Sequence, residues 1–221
     1  FLVILFTKMP KNGDQSKEIN FGPTLKRIFG IKRYREGVIA QFFYVGAQIM
    51  CWTFVIQYGT RVFMAEGMPE LEAEVLSQQY NIIAMVIFCS SRFICTYLLK
   101  YINPGRLLFF LAIAATVATA GVIAIDGRVG LYCLVAVSAC MSLMFPTIYG
   151  ISLERVSGED AKIGAAGLIM AILGGSVMPP LQARIIDMGL VGTMPAVNLS
   201  FLLPLLSFLI IALYGWRHSR S

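Results

Sequence analysis

Long runs of apolar residues, separated by short polar segments, dominate the pattern along this chain. Six of them come close to or exceed the roughly 20 residues that match the hydrocarbon thickness of a bilayer. The six runs are Gly37–Tyr58, Gln78–Leu99, Leu107–Ile125, Val129–Leu153, Ile163–Ile186 and Ala196–Trp216. Inside lipid only helices and closed barrels satisfy their own backbone hydrogen bonds. The pattern therefore predicts an all-α membrane protein with six transmembrane helices.

The segment before the first run is organised differently. Residues 1–7 begin with an apolar stub, which we interpret as the end of an earlier helix. Residues 8–36 are polar and basic with glycine and proline breakers, and they predict a cytoplasmic linker. Within it, Phe21–Phe29 has the pattern of a short amphipathic helix for the inner membrane surface, although a solvated connector fits equally well. The bundle then covers residues 37–217, residues 218–221 form a tail, and the chain is interpreted as a piece of a longer protein.

One face of the first run is polar. Gln41, Tyr44, Gln48 and Trp52 follow at spacings of 3, 4 and 4, which places them within about a quarter of a helix circumference. Amides facing lipid are costly, so this stripe is predicted to face other helices or a water-filled cavity. Hydrogen bonding between helices explains such a stripe as well. Two glutamines beside two hydrogen-bonding aromatic residues favour a face that binds a ligand.

The second run repeats this theme with Asn81, Met85, Phe88 and Arg92 at spacings of 4, 3 and 4. We expect Asn81 to reach the same cavity, and Arg92, near the end of the run, to bind carbonyl groups or neighbouring loops. The turn at Tyr101–Arg106 has too few residues to cross the membrane again. It therefore predicts an antiparallel hairpin between the second and third runs.

The remaining four runs fall into two groups, those predicted to support the bundle and those predicted to line a cavity or pack closely. Leu107–Ile125 and the last run are almost wholly apolar and are predicted to face lipid. In the fourth run Pro146 deletes a backbone hydrogen bond, so the helix bends and Phe145 and Tyr149 gain access to a cavity; a structural kink alone explains this proline equally well. The fifth run is crowded with small residues that permit close helix approach. Its Pro179-Pro180 pair is predicted to break or bend the helix.

Composition and charge narrow the class of protein. Hydrophobic residues make up 57% of the 221 residues and charged residues 14%, against roughly a quarter charged in soluble domains. The net charge of +6 suggests nucleic acid, but 15 of the 18 Lys and Arg residues lie in alternate loops and in the two terminal segments. Because positive loops resist translocation, both ends of the chain are predicted to be cytoplasmic. The cations are explained by topology, so no nucleic acid partner is expected.

No residues suited to a cofactor or to catalysis emerge from the sequence. The five cysteines lie within apolar runs without metal-ligand spacing, and His218 stands in the basic tail. An intramembrane enzyme needs a nucleophile with a base, a metal pair or buried carboxylates, and no such motif is present. We therefore expect no metal, no cofactor and no enzymatic activity. A membrane channel or a structural membrane subunit is the alternative to a transporter, since both also use polar stripes and proline kinks.

Four stretches of the sequence resemble one known family. They are Gln41-Phe42-Phe43-Tyr44-Val45-Gly46-Ala47-Gln48, Ser91-Arg92-Phe93, Phe145-Pro146-Thr147-Ile148, and Gly174-Gly175 followed by Pro179 and Asp187. In this order they resemble the C-terminal half of the fucose:proton symporters of the major facilitator superfamily. The resemblance covers nearly the whole chain and makes its six spans helices seven to twelve of twelve. Arg92 with the turn ending at Arg106 resembles the superfamily's cytoplasmic loop signature, without the acidic residue of the full pattern.

The resemblance implies a function and a set of site residues. It implies proton-coupled uptake of a monosaccharide, L-fucose or a related hexose such as glucose or galactose, by alternating access in the inner (plasma) membrane. The partners would be the sugar, the proton, the lipid bilayer and a missing N-terminal six-helix half, which holds the family's proton-carrying carboxylates. Arg92 and Arg106 would belong to the gating loop, and Phe145 stands where relatives have tyrosine. The implied sugar-binding residues are Gln41, Tyr44, Gln48, Trp52, Asn81, Phe145 and Tyr149.

Overall fold

The structure, a computed structural model, describes residues 21–156, 158–191 and 194–219. The predicted helix end at residues 1–7 and the first part of the linker lie outside these residues. The described helices are α1 (Phe21–Gly30), α2 (Lys32–Ala65), α3 (Glu70–Leu98), α4 (Pro104–Ala124), α5 (Arg128–Met141), α6 (Met144–Leu153), α7 (Glu159–Met170), α8 (Gly174–Ile186), α9 (Ala196–Ser200) and α10 (Leu202–His218). A 3-10 turn, Ala171–Leu173, joins α7 to α8. Strands β1 (Leu190–Val191) and β2 (Met194–Pro195) form a short antiparallel pair, with Leu190 opposite Pro195.

Six stretches of the described chain are helical, long and apolar enough to cross a membrane. Three are single helices, α2, α3 and α4, and three combine two helices each, α5 with α6, α7 with α8, and α9 with α10. The predicted number of spans is thereby confirmed. Helix α2 begins at Lys32 and ends at Ala65, beyond both ends of the apolar run, because helical hydrogen bonding continues into the polar residues that border it.

Helix α2 is the centre of the bundle. It packs against α3, α5, α6, α8 and α10, and four of the largest fully buried side chains, Tyr34, Tyr44, Tyr58 and Phe63, belong to it. Helix α3 packs against α2 and α5 along a narrow stripe that contains Ala73, Ser77 and Ala84, and most of its remaining surface is exposed. The bundle is therefore built around its first span, and its second span lies at the edge.

The prediction that the third and last spans serve mainly as lipid-facing support is wrong for one face of each. Helices α4 and α10 pack against each other along their length, and α4 buries Leu108, Ala112 and Ala115. Two glycines explain the close approach. A side chain at Gly105 would collide with the backbone of His218, and one at Gly215 would collide with the backbone of Phe109. The apolar composition of these two spans did not predict that they pack tightly against each other.

Three spans are interrupted, the last of them only at Phe201, between α9 and α10. In the fourth, α5 ends at Met141 and α6 begins at Met144, so the interruption lies just before Pro146, as expected for a residue that removes the bond to the carbonyl four positions earlier. In the fifth, the interruption is the 3-10 turn Ala171–Leu173, whereas α8 continues through Pro179-Pro180 to Ile186. Of the predicted break or bend at the two prolines, the break is therefore wrong, and the interruption lies one to two turns earlier.

The small residues of the fifth span do permit close helix contact, as predicted. A side chain at Gly174 would overlap the backbone of Phe42, and one at Gly175 would press on Ile49. From the other side, a side chain at Gly46 would meet Met178 at 2.6 Å. Helices α2 and α8 therefore touch through their backbones.

The linker segment Phe21–Phe29 forms the predicted helix, α1, which docks on the bundle. Ile28 is fully buried in a small apolar cluster with Ile163 and Leu168 of α7. At the polar edge of this contact, Arg27 Nε donates to Asp160 Oδ2 at 2.8 Å. The stretch is thus a packed helix and not only a solvated connector.

Candidate functional site

The polar stripe on α2 divides into a buried part and a partly exposed part. Gln41 and Tyr44 have no exposed surface, whereas Gln48 and Trp52, one and two turns further along, are partly exposed. The predicted stripe thus begins inside the six-helix bundle and ends at its surface. Only Gln48 and Trp52 are directly accessible to a ligand from outside the bundle.

The Tyr44 hydroxyl ties α2 to the interrupted fourth span. It donates to the Met141 carbonyl at 2.9 Å, at the end of α5, immediately before the interruption. The Tyr44 ring also contacts Phe145 edge-on, with the ring centroids 6.2 Å apart. Tyr44 therefore supplies a hydrogen bond to a carbonyl beside a helix end, where helix carbonyls otherwise lack partners.

Trp52 links three helices. Its ring packs edge-on against Phe88 of α3 at 5.0 Å, and its Nε1 donates to Ser138 Oγ of α5 at 3.4 Å. Ser138 was missed at the level of sequence, although one signal was available. Ser138 and Ser142 lie four residues apart in an otherwise apolar run, which is the spacing of one helix face.

Several polar atoms in this region are buried without a hydrogen-bond partner among the described residues. They are both amide atoms of Gln41, Oδ1 of Asn81 and Oγ of Ser142. Leaving such a group unsatisfied costs about 1–3 kcal/mol, so native proteins nearly always supply a partner. The three residues lie on α2, α3 and the interruption after α5. Buried water is the usual partner of such groups in proteins.

Not every predicted site residue lies near the stripe. Tyr149 packs against the small cluster of Ile28 and Tyr34 near α1, away from Phe145, which packs on the main core. Arg92 is exposed on α3, near the end of that helix. Arg106 is exposed in the first turn of α4, a helix capped by Asn103, whose Oδ1 accepts from the Gly105 amide at 2.9 Å.

Charged residues are concentrated at the two ends of the bundle. One end holds the ion pairs Arg33–Glu154 at 2.6 Å and Arg217–Glu36 at 3.0 Å. The opposite end holds Arg61–Asp126 and Arg128–Glu66. There, the hydrogen bond from Arg128 holds the pKa of the Glu66 carboxyl below its usual value. Within the described residues, every Asp and Glu lies near a helix end or in a loop, and no group of three metal-ligating side chains comes together.

Comparison with solved structures defines the class of the fold. The chain superposes on the Escherichia coli fucose:proton symporter FucP with a TM-score of 0.83 at 30% identity, covering 100% of this chain and 52% of that one. A second FucP structure, described as a major facilitator superfamily transporter in the outward conformation, gives a TM-score of 0.81 at 31% identity. The fold is thus the C-terminal six-helix half of a major facilitator superfamily transporter.

Sequence comparison then gives particular relatives. The chain is 51% identical over 218 residues to the L-fucose-proton symporter of Haemophilus influenzae, covering 98% of this chain and 49% of that protein. It is 32% identical over 224 residues to the L-fucose-proton symporter of Escherichia coli, covering 100% of this chain and 48% of the relative. It is 30% identical to a putative glucose/galactose transporter of Helicobacter pylori, covering 100% of the chain and 52% of that protein.

These comparisons confirm the predicted resemblance. The chain spans about half the length of the curated relatives it matches. No protein-family model matches it. The relatives are transporters, and the six apolar helices make the chain part of a multi-pass membrane protein.

Proposed function

We propose that this chain forms the C-terminal half of a proton-coupled monosaccharide transporter that works by alternating access. The observation that carries the proposal is the similarity, along the whole chain, to one half of L-fucose-proton symporters. In transporters of this kind, two halves rock around a substrate site at their interface near the middle of the membrane. The other wall of the site would belong to an N-terminal six-helix half.

The sugar-binding wall in this proposal centres on the exposed end of the stripe. Gln48 would pair its amide with sugar hydroxyls, and the Trp52 ring would stack on the apolar face of a hexose ring. Gln41 adds a buried amide group, and Asn81 a buried amide oxygen, that have no partner among the described residues. Tyr44 and Phe145 would set the shape of the wall, and Tyr149, which packs towards α1, would contribute from its far end.

The proton would be carried by the other half. Proton coupling requires an ionisable group inside the membrane, where such groups are rare and usually functional. The described acids of this chain lie near helix ends or in loops, outside the central part of the spans. Coupling would therefore depend on carboxylates of the N-terminal half, and this half would neither couple nor transport alone.

We further propose that the substrate is L-fucose or a related hexose. Two of the relatives are named as L-fucose symporters and one as a putative glucose/galactose transporter. Phe145 contacts Tyr44 beside the stripe, so Phe145→Tyr would add a hydroxyl close to the proposed site. We expect this substitution to change the preference among hexoses in competition uptake assays. An unaltered preference would remove Phe145 from the site.

The proposed membrane is the inner (plasma) membrane, with both ends of the chain in the cytoplasm. The distribution of Lys and Arg among the loops supports this orientation. The start of α2 and the end of α10 lie at the same end of the bundle, joined by the Arg217–Glu36 ion pair. Arg92 and Arg106, which flank the α3–α4 turn, would then belong to the cytoplasmic gating loop.

Transport by the complete protein in proteoliposomes tests the proposal. We expect saturable uptake of labelled L-fucose or hexose that shows counterflow and is abolished by a protonophore. A channel would conduct without counterflow, and a structural subunit would give no flux. Liposomes with the same protein and an inside-acidic gradient provide the control, since a proton symporter then loses net uptake while counterflow continues.

A further inference from the structure

A cationic cavity lies at one end of the bundle, where three helices meet. It has a volume of about 250 Å³ and is lined by side chains from the start of α2, the residues after α6 and the end of α10. The lining side chains are Lys32, Arg33, Glu36, Arg155, Arg217 and His218. Four are cations at neutral pH and one is an acid. Trp216, adjacent in sequence and 52% exposed, is the aromatic residue type that concentrates at the membrane–water boundary.

The charges in the cavity do not cancel. Arg33 is paired with Glu154 at 2.6 Å, and Arg217 is paired with Glu36 at 3.0 Å. Lys32 and Arg155 are exposed and form no ion pair with any acid that the structure describes. The four Lys and Arg side chains are matched by only two acids, Glu36 and Glu154, so the cavity carries two uncompensated positive charges that face solvent. This charge fits an anion.

An apolar groove continues from the cavity along the outside of the bundle. It runs between α2 and α10 with a volume of about 150 Å³, and it shares Glu36 and Arg217 with the cavity. Beyond those two residues its lining is apolar or aromatic: Ile39, Ala40, Ile210, Leu213 and Tyr214. Ile39 and Leu213 are 48% and 60% exposed. The groove lies along helices long and apolar enough to cross the membrane, so it runs at the depth of the lipid acyl chains.

We propose that the cavity and groove together form a binding site for one anionic phospholipid. Its phosphate would lie between Lys32 and Arg155, and one acyl chain would follow the groove past Ile39 and Leu213. Basic pockets between transmembrane helices bind anionic headgroups in this manner. Free phosphate would use the cavity and leave the groove empty, whereas a lipid uses both. The inference rests on the fold and is independent of the transported substrate.

Lipid binding to the complete purified protein, measured by native mass spectrometry, tests this site. Phosphatidylglycerol is titrated against phosphatidylcholine, with inorganic phosphate as a separate arm. Each basic residue near a membrane surface contributes about 1 kcal/mol, so Lys32→Gln combined with Arg155→Gln should weaken phosphatidylglycerol binding roughly thirty-fold. The matched control, Lys26→Gln with Lys100→Gln, removes two exposed cations outside the cavity and should leave binding unchanged.

The groove is tested separately with Leu213→Trp, which fills it. This variant should weaken phosphatidylglycerol binding, while Val117→Trp, at a 67% exposed position on α4, should not. Equal lipid binding by wild type and the double Gln variant would overturn the proposal. So would competition by inorganic phosphate combined with normal binding by Leu213→Trp, which would identify a free-anion site. If the double Gln variant fails to fold, the Leu213→Trp and phosphate arms still decide.

Discussion

Helices α2 and α3 are equally apolar where they would cross the membrane, yet 56% of that stretch is buried inside the bundle in α2 and only 6% in α3. Both helices carry a polar stripe at helical spacing. In α2 the stripe begins in the core with Gln41 and Tyr44. In α3 Asn81 is partly buried and Arg92 is exposed. Equal hydropathy therefore indicates that both helices suit a lipid environment, but it does not show which of them lies at the centre of the bundle.

The difference in burial between α2 and α3 has a physical cause, which is how closely each helix can approach its neighbours. Helix α2 carries Gly37, Gly46 and Gly59, and at each of them a side chain would collide with a neighbouring helix. Helix α3 contains no glycine, and its close contacts rely on Ala73, Ser77 and Ala84. Without a hydrophobic driving force between helices in lipid, small residues largely decide which helices pack closely. Glycine position therefore separates the central helix from the peripheral one.

The largest expected effect comes from filling the contact between α2 and α8. Gly174→Ala would place a methyl group against the Phe42 backbone, which cannot rotate away, and should cost about 3 kcal/mol or more. Gly59→Ala, at the contact between α2 and α3, meets the Ser77 side chain at 2.6 Å and should cost less, because a side chain can move. Thermal unfolding of the complete protein in detergent measures both.

Gly150→Ala is the matched control for this pair, because a side chain there meets nothing within 4 Å. It should leave the thermal midpoint unchanged or raise it slightly, since alanine favours helix over glycine. Equal losses for Gly174→Ala and Gly59→Ala would contradict the distinction between the backbone contact that α2 makes with α8 and the side-chain contact that it makes with α3.

A smaller effect is expected from hydroxyl removal. Tyr44→Phe would deprive the buried Met141 carbonyl of its donor, at a cost of about 1–3 kcal/mol. On α3, the exposed Tyr97 hydroxyl lies 3.1 Å from the Tyr101 hydroxyl, and Tyr97→Phe should change stability by less than about 0.5 kcal/mol. Chemical or thermal unfolding of the two variants side by side gives the comparison. A Tyr97→Phe loss as large as that of Tyr44→Phe would show that α3 is buried in the complete protein.

Substrate affinity offers a third test, which applies to the proposed function. Gln48→Ala should weaken sugar binding about tenfold, the loss expected for one hydrogen bond worth roughly 1.4 kcal/mol, without affecting membrane insertion. Gln79→Ala removes an exposed amide from α3 and should leave affinity unchanged. Sugar titration monitored by tryptophan fluorescence measures both. Unchanged affinity in the Gln48 variant would remove that residue from the site.

The smallest expected effect is pH-dependent and concerns the junction between α2 and α3. Arg128 lowers the pKa of Glu66 from its ordinary value of about 4.5, so the pair stabilises the fold above the unfolded-state pKa. Its contribution is lost as pH falls through the lower, folded-state pKa. The thermal midpoint of Glu66→Gln should therefore lie slightly below wild type at neutral pH and converge with it in acid. Glu72→Gln, at an exposed position without a described ion pair, should show no such convergence.

Much of this fold follows from local pattern, and the rest depends on contacts that no local pattern contains. The six spans follow from run length, and close packing of the fifth span follows from its glycines. The interruption at Ala171–Leu173 was missed because the helix was expected to break or bend at Pro179-Pro180. Neighbouring helices allow these two prolines inside α8. The acceptor of the Tyr44 hydroxyl was equally hidden, since it is a backbone carbonyl distant in sequence. Whether the predicted residues bind sugar stays a prediction.

The paired glycines of α4 and α10 have a mechanical consequence. At Gly105 and Gly215 the backbones of the two helices are in contact, and no side chains lie between them that could repack. Helices α4 and α10 should therefore move together as a rigid body. The interrupted fourth and fifth spans lack such continuity, and each contains a short joint, at Ser142–Leu143 and Ala171–Leu173. Shape change within the fourth and fifth spans would then be concentrated at these two interruptions, which lie beside α2. The α4–α10 pair would move as a rigid unit when these interruptions change shape.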